Sequence, residues 1–296
     1  MSAHTTGILI LIFSTAMWGI SGVCGQYLFE NFHPDPTWLI MIRQIIAGVI
    51  FLGLIAIRGK EPFFGVWRSG RVIVREMLLF SLGLLGGQYG FYMAISLSNA
   101  PTATVLIYTE PIYILLYQLL ILRSRPEGRE LLGIALAITG VFLVCTHGNP
   151  GTMVLSPEAL FWAMVSAVSM ALYSICPKHL LKEWSSPYVS GWGQILAGLV
   201  LVPFCNPFDS GASAWPLSAV GAMSYIIVLG TVVPFLTYLM GLKIVGPVKA
   251  ALVSCCEPLC SILFAVLFLG TRLVFPDYVG MACIIVTVLM LSIRKV

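Results

Sequence analysis

The sequence predicts an all-α integral membrane protein of ten transmembrane helices arranged as two inverted five-helix repeats, and three observations predict it. Of 296 residues, 59% are hydrophobic and 9% charged, against about 25% charged in soluble proteins. Apolar runs follow one another almost without pause, and each approaches the roughly 20 residues that cross about 30 Å of hydrocarbon. The second half of the chain repeats motifs of the first at a nearly constant offset.

The predicted spans are 7–29, 37–57, 77–97, 102–122, 131–146, 159–176, 188–205, 217–242, 250–270 and 278–293. The first is too long for a signal-peptide core and lacks a small-x-small cleavage site, so it is expected to be retained. Breakers separate the runs, among them His33-Pro34-Asp35-Pro36, Arg125-Pro126-Glu127-Gly128, Gly148-Asn149-Pro150-Gly151 and Asn206-Pro207. With both termini in the cytoplasm, fourteen of the sixteen Lys and Arg residues fall in inside segments. Arg272 lies outside and Arg43 within a span. That asymmetry follows the positive-inside rule and predicts a multi-pass protein of the inner, cytoplasmic membrane. It puts Glu127 inside and Ser210 outside.

An offset of 147 aligns Met93 to Val141 with Met240 to Val288, matching Glu110-Pro111 to Glu257-Pro258, Arg125 to Arg272 and Gly133 to Gly280. An offset of 150 aligns Gln44-Ile45-Ile46-Ala47-Gly48 with Gln194-Ile195-Leu196-Ala197-Gly198, and 153 aligns Met17 and Ser21 with Met170 and Ser174. The repeats are therefore 1–150 and 151–296. An odd number of spans per half turns the second upside down, the arrangement of many secondary transporters with a site near the midplane.

Trp18-Gly19 in span 1, Arg43 early in span 2, and Glu-Pro in spans 4 and 9 resemble the EamA branch of the drug/metabolite transporter superfamily over essentially the whole chain. The resemblance implies a secondary active transporter working by alternating access, commonly an exporter of amino acids or similar small metabolites, with proton coupling as one option. The alternatives it leaves are a channel, or an uptake or exchange carrier for sugars, nucleotide conjugates or cationic drugs. It also implies spans 3, 4, 8 and 9 as the central lining. The halves differ: span 6 lacks the tryptophan of span 1, and Gly193 stands where span 2 has Arg43.

Glu110 and Glu257 reach mid-bilayer, where an ionisable group costs several kcal/mol and faces a cavity or a partner. They are candidates to bind a substrate amine or carry a proton, or to hold the bundle together. Glu110 has Tyr108-Thr109 and Tyr113 nearby and Glu257 has Cys255-Cys256 and Cys260, so Glu257 is the better candidate to bind and release a proton. Pro111 and Pro258 lack an amide hydrogen, leaving the carbonyls of Ile107 and Ser254 without their helical donors. A kink is expected at each, serving as a hinge or as a fixed bend.

Polar faces of the predicted cavity wall carry Gln88, Tyr92, Ser96 and Asn99 in span 3, then Glu110, Tyr113 and Tyr117 in span 4. Spans 8 and 9 add Thr231, Phe235 and Tyr238, then Ser254, Glu257 and Ser261. Trp18 is expected to close the cavity or simply to be buried. Arg43 is expected to pair outward with Glu30 or Asp35, with an acidic substrate group or Glu110 as the alternative.

The formal net charge of +4 comes from scattered connector residues rather than a basic stripe, which argues against nucleic-acid partners. Eight cysteines lie in or beside apolar runs without C-x-x-C or companion histidines, so no metal or disulfide is expected. No phosphate loop and no H-E-x-x-H or G-x-S-x-G site occurs, so no enzyme activity and no cofactor are expected. The partners expected are a small-molecule substrate, the lipid bilayer and, as a candidate coupling ion, protons.

Overall fold

Every regular element among the described residues is helical. The computed structural model describes all residues except 1–2, 60, 122, 124–127, 150, 152–153, 177–178, 207–214, 246–249, 251–252 and 293–296. Glu127 and Ser210, expected on opposite sides of the membrane, lie outside the described residues.

Helix α1 covers Ala3–Phe32 and α2 covers Pro36–Arg58. Asp35 caps α2 by accepting from the amides of Thr37 and Trp38, and Gly59, at φ 59°, ends it. Beyond a 3-10 turn at Gly65–Arg68, α3 runs Arg71–Leu97. Next come α4 (Ala100–Ile107), α5 (Glu110–Leu120) and α6 (Gly128–Thr146). The second half begins with α7 (Pro157–Ile175), a short α8 (Leu180–Glu183) and α9 (Ser186–Leu201). Helix α10 (Leu217–Ser224) passes through a π-helical stretch, Tyr225–Val232, into α11 (Val233–Val245). Helices α12 (Cys256–Leu269) and α13 (Phe275–Ser292) follow.

Among the described residues six helices are long and apolar enough to cross a membrane: α1, α2, α3, α7, α9 with its 3-10 extension, and α10 through α11. Apolar helices of 10–17 residues lie within α6, α12 and α13. Several helices outrun the apolar spans because an apolar run stops at the first polar residue, whereas a helix continues into the headgroup region.

The kinks expected at Pro111 and Pro258 are instead breaks. Helix α4 stops at Ile107 and α5 restarts at Glu110. Helix α12 begins at Cys256, after a turn at Cys255. Each proline falls in the first turn of the new helix, where a missing amide is tolerated. Each glutamate falls in that same turn, at the positive end of the helix dipole.

Helix α3 lies along α7, α2 along α9 and α6 along α13; α1 packs on α11 and α12, and α4 on α12. Small residues permit these approaches. A Cβ on Gly140 would sit 2.6 Å from the Gly280 carbonyl, and one on Gly280 2.7 Å from that of Gly140. Ser166 Oγ ties α7 to α3 by donating to the Gly87 carbonyl at 2.6 Å. In terms of the predicted spans, the pairs are 3 with 6, 2 with 7, 5 with 10, 1 with 8, 4 with 9, and 1 with 9, mirrored by 4 with 6. This set maps onto itself when the halves are exchanged.

Two buried clusters flank the interior. One gathers Leu28, Phe29, Leu39, Tyr92, Leu106 and Ile226, and the other Ile73, Met77, Phe80, Leu180 and Tyr188, where α3 begins. The second end is pinned by Glu76, which accepts from the amides of His179 and Leu180 and pairs with His179 Nδ1 at 2.6 Å.

Candidate functional site

A cavity of about 360 Å³ is lined by residues of α1, α2, α3, α4, α7, α8, α9, α11 and α12 and the π-helical stretch. It extends from Arg43 and Tyr92 toward the end where α3 and α9 begin, past Phe80, Leu84, Ser190 and Ser186. Toward the other end aromatic rings pack on one another: Phe29 meets Tyr92 at 6.3 Å, Trp38 meets Trp215 at 5.7 Å and Tyr89 meets Trp162 at 5.3 Å.

Arg43 is 5% exposed. Its Nε donates to Thr231 Oγ1 at 2.9 Å, its Nη1 donates to Gln88 Oε1 at 2.5 Å, and its guanidinium stands 4.9 Å from the Tyr92 ring centroid. The π-helical stretch sets up the first contact. Thr231 Oγ1 donates to the carbonyl of Ile226, five residues back, at 2.8 Å, so its oxygen is left to accept from Arg43. A π-bulge at a functional site is a recurring device.

The expected pairing of Arg43 with Glu30 or Asp35 is not formed. Glu30 accepts from Gln26 at 2.7 Å and Asp35 caps α2, so both carboxylates serve their own helix ends while Arg43 turns inward. Among the described residues no carboxylate comes within 4.0 Å of Arg43. A buried cation held only by a hydroxyl, a carboxamide and a ring face is incompletely compensated. Its partners orient it without neutralising it.

The cavity also exposes Glu257, together with Trp18 and Tyr238, whose rings lie 5.3 Å apart at 46°. Tyr92 lies within electrostatic reach of both Arg43 and Glu257, and its hydroxyl is 3.2 Å from Ser21 Oγ. Gly19 lets α1 approach this wall, since a Cβ there would fall 2.6 Å from the Glu257 carbonyl.

Seven of the sequence candidates stand outside the cavity lining, Ser96, Tyr117 and Ser261 among them. Asn99 caps α4 by accepting from the Thr102 amide at 2.9 Å. Tyr113 donates to Met164 Sδ at 3.1 Å, Ser254 Oγ donates to Tyr238 Oη at 3.3 Å, and Glu110 accepts from Ser174 Oγ at 2.7 Å. None of these four lines the cavity, although Ser174 and Tyr238 do. Tyr108, counted in the sequence as company for Glu110, reaches Glu257 Oε2 at 3.1 Å and donates to the Ser254 carbonyl at 2.7 Å. The helix break lies behind this reversal, because it ends α4 at Ile107 and leaves Tyr108, the capping residue, at the α4–α12 contact. Tyr173, Gln194 and Ser190 also line the cavity. Their common signal, a polar residue on an apolar helix, was visible but not distinctive.

The model of the EamA-like transporter family matches the chain over residues 5–146 and again over 158–293. The chain is 34% identical over 293 residues to the uncharacterized inner membrane transporter YicL of Salmonella typhimurium, covering 99% of this chain and 97% of that protein. It is 22% identical to the uncharacterized transporter YcbK of Bacillus subtilis, with 98% and 93% covered, and 23% identical to protein PecM of Dickeya dadantii, with 96% and 93% covered. A solved crystal structure superposes with a TM-score of 0.59 at 19% identity, covering 97% of this chain and 96% of the other. Helical membrane architecture and a family match in both halves lead to one conclusion: the chain belongs to the EamA-like transporter family.

Proposed function

We propose that this multi-pass membrane protein is a secondary active transporter that exports amino acids or similar small zwitterionic metabolites by alternating access, with Glu257 as its proton carrier. The observation that carries the reading is the uncompensated Arg43 guanidinium in a cavity that also holds Glu257. A guanidinium suits a carboxylate by its planar fork of donors. The substrate carboxylate completes the charge balance of Arg43, the substrate amine takes the Glu257 side, and the Trp18 and Tyr238 rings offer faces to the remainder.

Ten spans in two inverted halves, with both termini cytoplasmic, accommodate this cycle. Support comes from the helix pairing that survives exchange of the halves and from the two family matches in one chain. In that orientation the cavity opens inward and the aromatic packing faces outward. The sequence carries no nucleotide-hydrolysing loop, so an ion or substrate gradient drives the cycle.

Counterflow of radiolabelled amino acids in proteoliposomes tests the reading. Saturable, trans-stimulated exchange is the expected result. Uptake that does not respond to internal substrate indicates a channel, and exchange confined to sugars or organic cations overturns the zwitterion.

A further inference from the structure

Tyr108 brings a single phenolic proton to two acceptors. Its oxygen lies 2.7 Å from the carbonyl of Ser254 and 3.1 Å from Glu257 Oε2. The Ser254 carbonyl needs that proton, because the residue four places on is Pro258, which has no amide hydrogen to offer. The one phenolic proton can serve both acceptors only as a weaker three-centre bond; two full bonds form when Tyr108 donates to Ser254 and Glu257, protonated, donates to the Tyr108 oxygen. When Glu257 gives its proton to the cavity, the carboxylate becomes an acceptor facing an oxygen. The phenolic proton then turns toward the stronger, charged acceptor. The Ser254 carbonyl is left without a donor.

We propose that Tyr108 is the coupling residue of the carrier, a positioning group that converts the protonation of Glu257 into the making or breaking of a bond between the two helix breaks. Tyr108 caps the end of α4, and Ser254 immediately precedes the break before α12, so this bond ties one half of the chain to the other. With Glu257 protonated the two breaks are joined. With Glu257 ionised they part, and the broken helices are free to change their relation. The proposal rests on the reading of Glu257 as a proton carrier and adds the route by which the proton acts.

The neighbouring ionisable groups permit this. Tyr238 from α11 and Tyr92 from α3 lie within electrostatic reach of Glu257, as do Tyr173 from α7 and the thiols of Cys255 and Cys260. Glu110 of α5 reaches Tyr238 and Tyr173 as well. The nearby cation is Arg43 of α2, engaged with Thr231, Gln88 and the Tyr92 ring. Helix α1 contributes Gly19 against the Glu257 backbone, and its Cys24 stands within reach of Tyr92. Among the described residues Tyr108 alone hydrogen-bonds to the Glu257 carboxyl.

The test is pH-difference infrared spectroscopy of the full chain in lipid nanodiscs. In the unmodified protein a carboxyl band and a tyrosine C–O band are expected to change over one common pH range. Glu257→Gln should abolish both changes. Tyr108→Phe should abolish the tyrosine change alone, and Tyr238→Phe should retain both. If Tyr108→Phe does not fold, 3-fluorotyrosine at position 108 keeps the shape and hydroxyl and should displace the responding tyrosine band. A carboxyl band that titrates with no tyrosine change, or a tyrosine change that survives Tyr108→Phe or fails to move with the fluorinated residue, overturns the coupling role and leaves the proton carrier standing. Absence of any titrating band that Glu257→Gln removes overturns the proton carrier and the coupling role together.

Discussion

Arg43 and Glu257 differ in how much of each the surrounding protein satisfies. Among the described residues the guanidinium has neutral partners only, so losing the substrate carboxylate removes a charge-assisted contact worth about 1.5–3 kcal/mol. Arg43→Ala is expected to weaken apparent substrate affinity by about 10- to 100-fold with normal folded yield, and Arg43→Lys should weaken it less. Binding isotherms on purified protein check both; a collapse in yield with unchanged affinity would assign Arg43 to structure. Glu257→Gln is expected to abolish uphill transport driven by a pH gradient while sparing substrate exchange. Glu110→Gln keeps an amide oxygen for Ser174 Oγ, so its effect should stay within about 1 kcal/mol. Proteoliposome flux with and without a pH gradient separates the two. Equal, wild-type coupling in both variants would make the carboxylates structural.

Helical irregularities do most of the placing at the element scale. The π-helical stretch Tyr225–Val232 aims Thr231 at Arg43, so Thr231→Val should leave the fold intact and lower substrate affinity by about 1 kcal/mol or more. The same binding isotherms measure it. The break before α12 depends on Pro258, and Pro258→Ala restores an amide that can bond to the Ser254 carbonyl. That variant should keep or raise thermal stability while slowing transport, because a continuous helix no longer needs Tyr108. Unchanged transport alongside the same melting temperature would show that the break has no part in the cycle. The sequence located both prolines and both glutamates at these sites but forecast bends. Proline removes one donor in either case, and whether the helix bends or stops depends on which neighbour takes the freed carbonyl, here Tyr108 from another helix.

Across the whole molecule, the proposed inverted topology has a direct consequence for exposed residues. In a cysteine-free background, single cysteines replacing Asn31 and Arg272 should react with an impermeant reagent from outside, and those replacing Arg68 and Glu183 from inside. All four positions are exposed. Labelling of Asn31 and Arg68 from one side would exclude the arrangement. A cysteine at Ser190, which lines the cavity, should react from the inside in the state described here. Addition of transported substrate should slow that reaction.

The all-helical, multi-pass membrane character was legible in the sequence, because it is a property of apolar run length and composition and needs no knowledge of contacts. Offsets near 150 and the paired Glu-Pro blocks placed the two glutamates in equivalent helices before any coordinates. The tertiary structure decided which polar groups face which. Asn99 became a cap, Tyr113 turned to a methionine, and Tyr108 crossed to the other half to meet Glu257. Arg43 turned away from Glu30 and Asp35 because those carboxylates were already engaged at helix ends. Helical periodicity says which residues share a face. It does not say what that face meets, because in a helical membrane protein each buried polar group must find its partner on a neighbouring helix, far away in the chain.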